Sequence, residues 1–408
     1  MIQSRRVVIT GIGVVSPAGR GEVEFFDNLL EGRDFVKEID HFDASLYPAR
    51  HAGRVERLDD EVFSKRLIKK LDRFSHLALV ASDDAINSSR LDLKTCDMER
   101  IGIVLGNALG GWGFAEVELR DLYQQGLREV SPYQATAWFP AAPQGQVSIH
   151  CGIKGFAKTI ISDTASSLLA LGYAARAVKT GKADVILAGG VEAPLTPYAL
   201  LCCNTSGEMS VSGRYRPFDR DRDGYVIAEG AAVLVVEEYE HAVARGAKVY
   251  AEVSGFSHTS DGVHPTDPDP EGRGIARAMQ AALDAAGLKA SEIDYLLPAG
   301  LGGIKSDKGE ALAINSIFAA SLGNGLSVGV PKSLYGNALG ASGALDAATA
   351  LIAMERGTAP THTGCGTPDE GCGWVNGSGM VVEKDIRTAL INSVGRGGVN
   401  TSIVLRKQ

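Results

Sequence analysis

The sequence predicts an α/β protein, because short apolar runs alternate along its 408 residues with longer stretches of helical hydrophobic spacing. Glycine occurs 49 times, which suits many tight turns between such elements, since glycine adopts positive φ freely. Hydrophobic residues make up 45% of the chain and charged residues 22%, a composition that excludes a disordered or fibrous protein. The length exceeds that of one ordinary domain, so two domains or a duplicated unit are expected.

The predicted strands are short apolar runs. They are VVIT at 7–10, IGIVLG at 101–106, DVILAGG at 184–190, AAVLVVEE at 231–238, VYAEVSG at 249–255 and SIVLR at 402–406. The apolar run near the start is short, interrupted by glycine and without a credible cleavage site. We therefore interpret it as a buried strand and not as a leader.

The predicted helices have apolar residues at helical spacing and cover 166–180, 271–286, 307–320 and 340–356. Two stretches, SSLLALGYAARAVKTG at 166–181 and SGALDAATALIAMERG at 342–357, both open on small residues and close on glycine. Their similarity indicates two related halves. No tract rich in Pro, Gly and Ser separates these halves, so we expect 1–250 and 251–408 to share one core.

Charge and cysteine content exclude several classes of function. The formal net charge of −8 argues against nucleic acid or an anionic membrane as the main partner. Six cysteines include no C-x-x-C pair, which indicates reduced cysteines and a cytoplasmic protein. No run of eighteen apolar residues occurs, so no membrane-spanning segment is expected.

Cofactor and metal motifs are absent from the sequence. The GIG at 11–13 is half of a dinucleotide fingerprint, but Ser16 stands at the third glycine position, and we interpret the segment as a tight strand exit. There is no H-E-x-x-H, no P-loop and no cysteine or histidine cluster at metal-ligand spacing. The sequence therefore predicts no metal site and no cofactor of its own.

Four segments resemble the β-ketoacyl synthases, the condensing enzymes of fatty acid and polyketide assembly. They are RRVVITGIGVVSPAG at the start, RPFDRDRDGYVIAEGAAVLVVEEYEHAVARGAKVYAEVSG at 216–255, VPKSLYGNALGASGALDAATALI at 330–352 and NSVGRGGVNTSIVL at 392–405. Together they cover essentially the whole chain, and the second is very specific. The resemblance implies a thiolase-like fold, with two similar halves in a layered α-β-α-β-α body that works as a dimer.

The chemistry that the resemblance implies needs a nucleophilic cysteine before a helix and two histidines. Alignment of the helix LLALGYAA places Thr164 at the cysteine position, and a threonine hydroxyl is a poor nucleophile without a nearby base. The stretch AGLGGIKSDKGE puts Ala299 at the first histidine. Leu301 and Gly303 stand where two threonines would bind a phosphopantetheine arm.

The remaining positions of the implied site are also altered. KSLYGN keeps Lys332 but places Asn337 at the second histidine, and asparagine cannot exchange a proton at neutral pH. Arg396 in VGRGG replaces a gating phenylalanine and should crowd the pocket. We therefore expect no catalytic residue in this chain, and we hypothesise that the retained Lys332 pairs with Glu310.

This combination of losses resembles the chain-length factor, the inactive partner of the ketosynthase in type II polyketide synthases. The stretches NALGGWGFAEVELRDLY at 107–123 and ATAWFPAAPQGQVSIHCGIKG at 135–155 also resemble that subfamily. Many chain-length factors carry glutamine at the cysteine position, and Thr164 departs from that pattern. The resemblance implies a heterodimer with an active ketosynthase, whose substrate arrives on the phosphopantetheine of an acyl carrier protein.

The resemblance also implies residues that set the depth of the polyketide tunnel, which here are Trp112, Ala115 and Leu119. Their i, i+3, i+7 spacing places them on one face of a helix. Trp112 is the bulkiest and should block part of the tunnel. The alternative is that all three pack in a homodimer or in the core, as apolar helical stripes commonly do.

The basic run SKRLIKKLDRF at 64–74 carries Lys65, Arg66, Lys69, Lys70 and Arg73, several of which share one helical face. Such a run is usually a solvated surface. In the family a comparable helix helps to dock the acidic acyl carrier protein, so Lys65, Arg66, Lys69 and Lys70 are candidate carrier contacts.

Two other sets of residues have structural interpretations. Cys202 and Cys203 are candidate displaced nucleophiles, but no histidine is near them in sequence, and free cysteines are commonly buried. His264 in SDGVHPT matches a loop histidine of the condensing enzymes, and without a nucleophile we expect it to make structural hydrogen bonds.

Two rival functions remain open. One is an unusual ketosynthase or acyltransferase that uses Thr164, Ser166 or Ser167 as its nucleophile. The other is a structural partner whose side chains do not touch the growing chain.

Overall fold

The computed structural model describes residues 5–56, 58, 63–375 and 381–408. In these residues the chain forms sixteen strands and twelve α-helices, in agreement with the predicted α/β class. The strands are β1 Val7–Ser16, β2 Gly19–Arg20, β3 Val36–Glu38, β4 His51–Gly53, β5 Ile101–Gly106, β6 Ala157–Ile160, β7 Val185–Glu192, β8 Ile227–Ala228, β9 Gly230–Glu238, β10 Ala251–Ser260, β11 Tyr295–Leu297, β12 Ser327–Val328, β13 Thr358–Pro360, β14 Val381–Glu383, β15 Thr388–Gly395 and β16 Val399–Arg406.

The helices lie between these strands. They are α1 Gly21–Leu30, α2 Lys65–Ile68, α3 Arg73–Ser89, α4 Trp112–Gln125, α5 Gln134–Ala137, α6 Ala142–Cys151, α7 Ser166–Lys179, α8 Pro197–Thr205, α9 Tyr239–Ala244, α10 Arg273–Ala286, α11 Ile304–Phe318 and α12 Ser342–Arg356. Among the described residues, no helix has both the length and the apolar character that crossing a membrane requires.

The main sheet repeats one pattern of strands twice. Its order is β12-β11-β15-β16-β10-β1-β9-β7-β5-β6. From each outer edge inwards, the first three strands run parallel to one another, and each of the next two strands pairs antiparallel with the strand before it. The halves meet where β1 and β10 pair antiparallel. This order confirms the two similar halves, and β10 begins at Ala251, directly after the junction predicted at 250.

Helices α7 and α12 lie between the two half-sheets. α7 contacts β5 and β7 of one half as well as β10 and β16 of the other, and α12 contacts both β9 and β15. Every residue of α12 from Ser342 to Met354 is buried. α3 and α6 cover one outer face, and α10 and α11 cover the other. These contacts produce the layered α-β-α-β-α body that was expected.

Several predicted boundaries need correction. The strand predicted at 249–255 begins at Ala251 and continues to Ser260, and the helix predicted over 307–320 is Ile304–Phe318. The basic run at 64–74 is not one helix, because α2 covers only Lys65–Ile68 and α3 begins at Arg73. Asp72 separates them, since its side chain caps α3 by accepting from the amide of Phe74.

Glycine at position 13 allows α3 to lie directly on β1. A Cβ at Gly13 would stand 1.9 Å from the carbonyl oxygen of Ala81. We expect Gly13→Ala to lower the free energy of unfolding by about 1–3 kcal/mol, because the helix must move off the strand. Chemical denaturation measures this change.

The matched control is Gly145→Ala in α6, where a Cβ meets nothing within 4 Å. This substitution should leave stability unchanged or raise it by up to about 1 kcal/mol, since alanine is the better helix former. Equal stability of the two variants would contradict the packing argument.

Candidate functional site

Thr164 lies in the turn between β6 and α7, at the N-terminus of the helix. Asp163 before it has a φ of 53°, in the left-handed region that few non-glycine residues adopt. The Thr164 hydroxyl donates to the carbonyl oxygen of Val394, and the Thr164 carbonyl accepts from the Ser393 hydroxyl at 2.7 Å. The side chain thus joins the start of α7 to β15, and its proton is engaged by a backbone carbonyl.

The two neighbouring serines serve the fold in the same way. Ser166 Oγ accepts from the amide of Ser162 at 2.8 Å and lies 2.6 Å from the carbonyl oxygen of Asp163, to which it donates. Ser167 Oγ accepts from the amide of Ala344 at 2.9 Å and so joins α7 to α12. Both serines are fully buried. The hydroxyls of the rival nucleophiles are therefore engaged with backbone groups.

Ala299 and the glycine after it are held by Glu310 from α11. The amides of Ala299 and Gly300 donate to the two carboxylate oxygens of Glu310, each at 2.8 Å. Burial raises the pKa of Glu310, and the two amides oppose that rise. The carboxylate fixes the course of the loop in which the implied histidine position lies.

Asn337 is buried directly before α12. Its side-chain carbonyl accepts from the amide of Leu339 at 2.9 Å and from the Ser342 hydroxyl at 2.7 Å. These bonds fix the turn that leads into the helix. The amide side chain thus has a structural role where the resemblance implies a histidine.

Tyr215 occupies the space beside both histidine positions, and sequence reasoning missed it. Its hydroxyl donates to the carbonyl oxygen of Gly300 at 2.8 Å, and a hydrogen bond with Asn337 lowers its pKa. The residue is buried, and burial raises the pKa of its phenol well above the ordinary value. The only sequence signal was an aromatic residue directly before the specific segment that begins with RPFD at 216.

The hypothesis that Lys332 pairs with Glu310 is wrong. Lys332 Nζ instead forms an ion pair with Asp346 of α12 and lies 3.3 Å from the carbonyl oxygen of Pro298. Both members of the pair are buried. Lys332 acts on Glu310 only through its charge, which opposes the effect of burial on the pKa of that carboxyl. The retained lysine therefore stabilises the approach to α12.

A cavity of about 600 Å³ opens above Thr164. Arg396 lies at this cavity, and its guanidinium Nη2 is 2.7 Å from Oε2 of Glu208. The amide of Arg396 also donates to Asp163 at 2.9 Å. The bulky cation at the position of the implied gate is thus anchored to two acidic residues beside Thr164.

The two adjacent cysteines differ in environment. Cys202 is exposed and lines the same cavity as Thr164. Cys203 is buried, and burial raises the pKa of its thiol to about 12. A buried thiol of that pKa is protonated at neutral pH and is therefore a poor nucleophile.

The three predicted tunnel residues lie in the first eight positions of α4 but differ in burial. Trp112 packs against Tyr198 of α8, with ring centroids 4.5 Å apart, and Ala115 is buried. Leu119 is 38% exposed. Leu119 is therefore not packed in the core of this chain, whereas packing of the three residues in a homodimer stays a prediction.

The residues of the basic run differ in exposure. Lys65, Arg66 and Lys69 are exposed, whereas the ammonium of Lys70 lies 4.6 Å from the ring centroid of Tyr133. Arg73 binds the buried Glu229 at 2.7 Å, so its guanidinium is engaged with the protein itself.

His264 accepts from the amide of Asp267 at 3.1 Å through Nδ1. It therefore makes the local structural hydrogen bonds that were expected of it.

Glu192 at the end of β7 connects the loops that surround the site. Its carboxylate accepts from the amides of Ala108 at 2.7 Å, Leu109 at 3.1 Å and Gly340 at 3.1 Å. Burial raises its pKa to about 8, and these amides oppose the rise. Sequence reasoning missed this residue, because its partners lie on two distant segments.

Comparison with known proteins places the whole chain in one family. Residues 4–242 match the N-terminal domain of the β-ketoacyl synthases, and residues 250–365 match their C-terminal domain. The chain is 36% identical over 413 aligned positions to the 3-oxoacyl-[acyl-carrier-protein] synthase 2 of Staphylococcus aureus, covering 100% of this chain and 99% of the relative. It is 35% identical to the protein of the same name from Coxiella burnetii, again covering 100% and 99%.

Solved structures agree in fold. The ishigamide ketosynthase/chain length factor has a TM-score of 0.91 at 28% identity, with both chains fully covered. A type II polyketide synthase acyl-carrier protein in complex with its ketosynthase bound to the hexaketide gives 0.90 at 28%, also with full coverage of both. A β-ketoacyl synthase from Burkholderia phymatum gives 0.90 at 30%, covering 99% of this chain and 100% of that one.

Glu192 should make stability depend on pH. Its folded-state pKa of about 8 lies above the ordinary 4.5, so its contribution to stability is complete below about pH 4.5 and is lost as pH rises through 8. We expect Glu192→Gln to reduce the fall in unfolding free energy over this range by at most about 1.4 kcal/mol per pH unit. Chemical denaturation at several pH values measures the slope.

Part of the slope should remain in that variant, because burial also raises the pKa of Asp307 to about 7. The control is Glu240→Gln, at an exposed position of α9. If both variants show the same slope, Glu192 does not titrate in the expected range.

Proposed function

Since the chain belongs to the β-ketoacyl synthase family, we propose that it is a chain-length factor of a type II polyketide synthase. It is a ketosynthase-like subunit without a catalytic nucleophile, and it pairs with an active ketosynthase. One observation carries this proposal. Thr164 and Asn337 stand at the positions that match the family's nucleophile and second histidine, and their polar groups form hydrogen bonds within the fold.

The chemistry of condensation requires a nucleophile that a base or a lowered pKa activates. The Thr164 hydroxyl instead donates to a backbone carbonyl, and Ala299 has no group that could exchange a proton. Asn337 can hydrogen-bond but not act as an acid or base at neutral pH. These three features together support a subunit that acts through its contacts and not through covalent chemistry.

Exposed apolar side chains support a protein partner. They lie on α4, on the turn that follows it and around α5, which contact one another. The members are Val117, Leu119, Tyr123, Leu127, Tyr133, Trp138 and Phe139, between 38% and 83% exposed. Several exposed apolar side chains on neighbouring elements are typical of an interaction site. The structural neighbour named as a ketosynthase/chain length factor supports an active ketosynthase as the partner.

The chain-length role rests on the start of α4. Trp112 is held against Tyr198 of α8, and each helix also carries an exposed leucine, Leu119 on α4 and Leu201 on α8. In the proposed heterodimer, the bulky indole limits the depth available to the chain that grows on the partner. Ala115 and Leu119 follow on the same helix face and are smaller.

A second candidate function is an active condensing enzyme or acyltransferase with an unusual nucleophile. The curated relatives of this chain support it, because they are named 3-oxoacyl-[acyl-carrier-protein] synthases and match its full length. The engaged hydroxyls of Thr164, Ser166 and Ser167 count against it.

An acylation assay separates the two candidate functions. We expect this chain, co-expressed with a ketosynthase encoded beside it, to form a one-to-one heterodimer in native mass spectrometry. After incubation with an acyl carrier protein loaded with substrate, intact mass should show acyl groups on the partner and none on this chain. Acylation of this chain would establish the enzyme instead.

Thr164→Val is the matched variant for that assay. It keeps the shape of the side chain and removes the hydroxyl, so it should cost about 1 kcal/mol of stability and leave heterodimer activity intact. Loss of product with a stable heterodimer would identify Thr164 as the nucleophile.

Trp112→Ala should lengthen the polyketide products. The substitution removes about 150–250 Å² of aromatic surface from the proposed tunnel. We expect the main product to gain at least one extension unit, as measured by liquid chromatography and mass spectrometry. The control is Trp374→Ala, because Trp374 also packs on an aromatic ring, that of Phe218, but lies away from α4.

Unchanged lengths in both variants would favour the purely structural partner. Lengthening in both would show that loss of stability and not tunnel depth alters the product.

The acyl carrier protein is a further proposed partner, and its contact surface is Lys65, Arg66, Lys69 and Lys70. Three of these are exposed cations near α2, and carrier proteins are acidic. Lys65→Glu with Lys69→Glu should weaken carrier binding about 5- to 30-fold at low salt, as measured by surface plasmon resonance. The control is Lys94→Glu with Lys289→Glu, because these two lysines are also exposed but lie on other segments. Equal binding by both double variants would exclude this surface.

A further inference from the structure

Asp83, His150 and Cys151 converge on the outer face of the N-terminal half. Asp83 belongs to α3, whereas His150 and Cys151 are the last two residues of α6, which packs on α3. His150 Nε2 lies 2.9 Å and 3.1 Å from the two oxygens of Asp83. With the sulfur of Cys151, one potential ligand atom from each residue lies within 4.8 Å of the others.

This geometry is close to that of a tetrahedral metal site. Zinc bonds of roughly 2.0–2.3 Å place neighbouring ligand atoms roughly 3.3–3.8 Å apart, so a closing of about 1 Å suffices. The site lies at the C-terminal end of α6, where the helix dipole favours a cation. Gly152 ends the helix in the left-handed conformation, with a φ of 71°, directly after Cys151.

The side chains around the cluster limit its movement. The ring of Phe63 packs edge-on against the imidazole of His150, with centroids 5.3 Å apart. Cys151 packs against the apolar cluster that lies between α3 and the sheet. The His150 and Asp83 side chains keep 36% and 24% of their surface exposed, so a cation can enter from solvent.

We propose that Asp83, His150 and Cys151 form a binding site for a divalent cation of the zinc class. One carboxylate, one imidazole and one thiolate are a mixed oxygen, nitrogen and sulfur set, which suits zinc and excludes the hard cations magnesium and calcium. Three protein ligands leave a fourth position for water or an exchangeable ligand. Binding would join α3 to α6.

Protons compete with the cation at this site. Hydrogen bonding to Asp83 raises the pKa of His150, and burial, with a smaller effect of the Asp83 charge, raises the pKa of Cys151 to about 12. The bound cation takes the place of the proton shared between His150 and Asp83 and of the thiol proton. The released protons pass to the buffer, so charge and atoms balance.

The sequence motifs predicted no metal site, because such motifs contain only ligands that lie close together along the chain. Asp83 and His150 are 67 positions apart, and the fold alone brings them together. Among the described residues, these three form the one group of three His, Cys, Asp or Glu side chains with ligand atoms this close.

A cobalt titration of the full-length protein tests the proposal, because Co²⁺ replaces zinc and absorbs characteristically when a thiolate binds it. We expect one equivalent of Co²⁺ to give thiolate-to-metal absorption, and Zn²⁺ to displace it and raise the thermal unfolding midpoint. Cys151→Ser, which keeps the size of the side chain, should remove the absorption and weaken Zn²⁺ binding at least about tenfold. His150→Gln and Asp83→Asn should also weaken binding.

Two control variants assign the signal to this cluster. Cys96→Ser changes another partly buried cysteine that packs against the same apolar cluster, and Cys202→Ser removes the exposed thiol. Both should bind as the unchanged protein does. The proposal is overturned if the folded protein shows no thiolate absorption, or if the absorption survives in Cys151→Ser.

Discussion

The packing of α7 against α12 between the two half-sheets is the constraint on which the rest of the structure depends. A Cβ at Gly343 would stand 2.8 Å from Cβ of Leu168, so the two helices are as close as side chains permit. Thr164 precedes one helix, and Asn337 precedes the other. The positions that the family uses for chemistry are thus also the positions from which the central helices start.

The side chains at these two positions therefore serve the fold directly. Buried polar groups must find hydrogen-bond partners, and each unsatisfied one costs about 1–3 kcal/mol. Thr164 satisfies the carbonyl of Val394, and Asn337 satisfies the amide of Leu339. Side chains at catalytic positions have here become part of the hydrogen bonding that holds the helix starts.

Buried carboxylates extend the same principle to the surrounding loops. Glu192 and Glu310 each accept backbone amides from segments that regular secondary structure does not hold. Asp346 pairs with Lys332 across the start of α12. A buried ion pair adds little net stability, but removal of either member would leave an uncompensated charge. The loops around the site are therefore fixed by hydrogen bonds to buried acidic side chains and not by apolar contacts alone.

Sequence patterns predicted the strands and helices whose residues are uniformly apolar or regularly spaced. They missed the elements that only tertiary structure defines. Apolar runs located β5 and β7, whereas β15 went unpredicted because polar Asn392 and Ser393 interrupt it, although the whole strand is buried. Helical spacing placed the cations of 64–74 on one face, but Asp72 ends that pattern by capping α3 and binding the amide of Phe114. The resemblance located the altered positions, yet the partners of Lys332 and Glu192 came from distant segments.

Family membership does not by itself determine the function at this site, because a fold specifies packing while chemistry depends on particular side chains. The relatives that match the full chain are named as synthases, and the same scaffold here carries Thr164, Ala299 and Asn337. In the proposed function, the chain acts through the surfaces that it offers to a partner. The exposed apolar residues of α4 are costly to leave in water, so a partner that covers them gains binding energy. The altered site and the apolar surface are thus the two features that support the proposed function, in which this subunit affects the reaction across an interface.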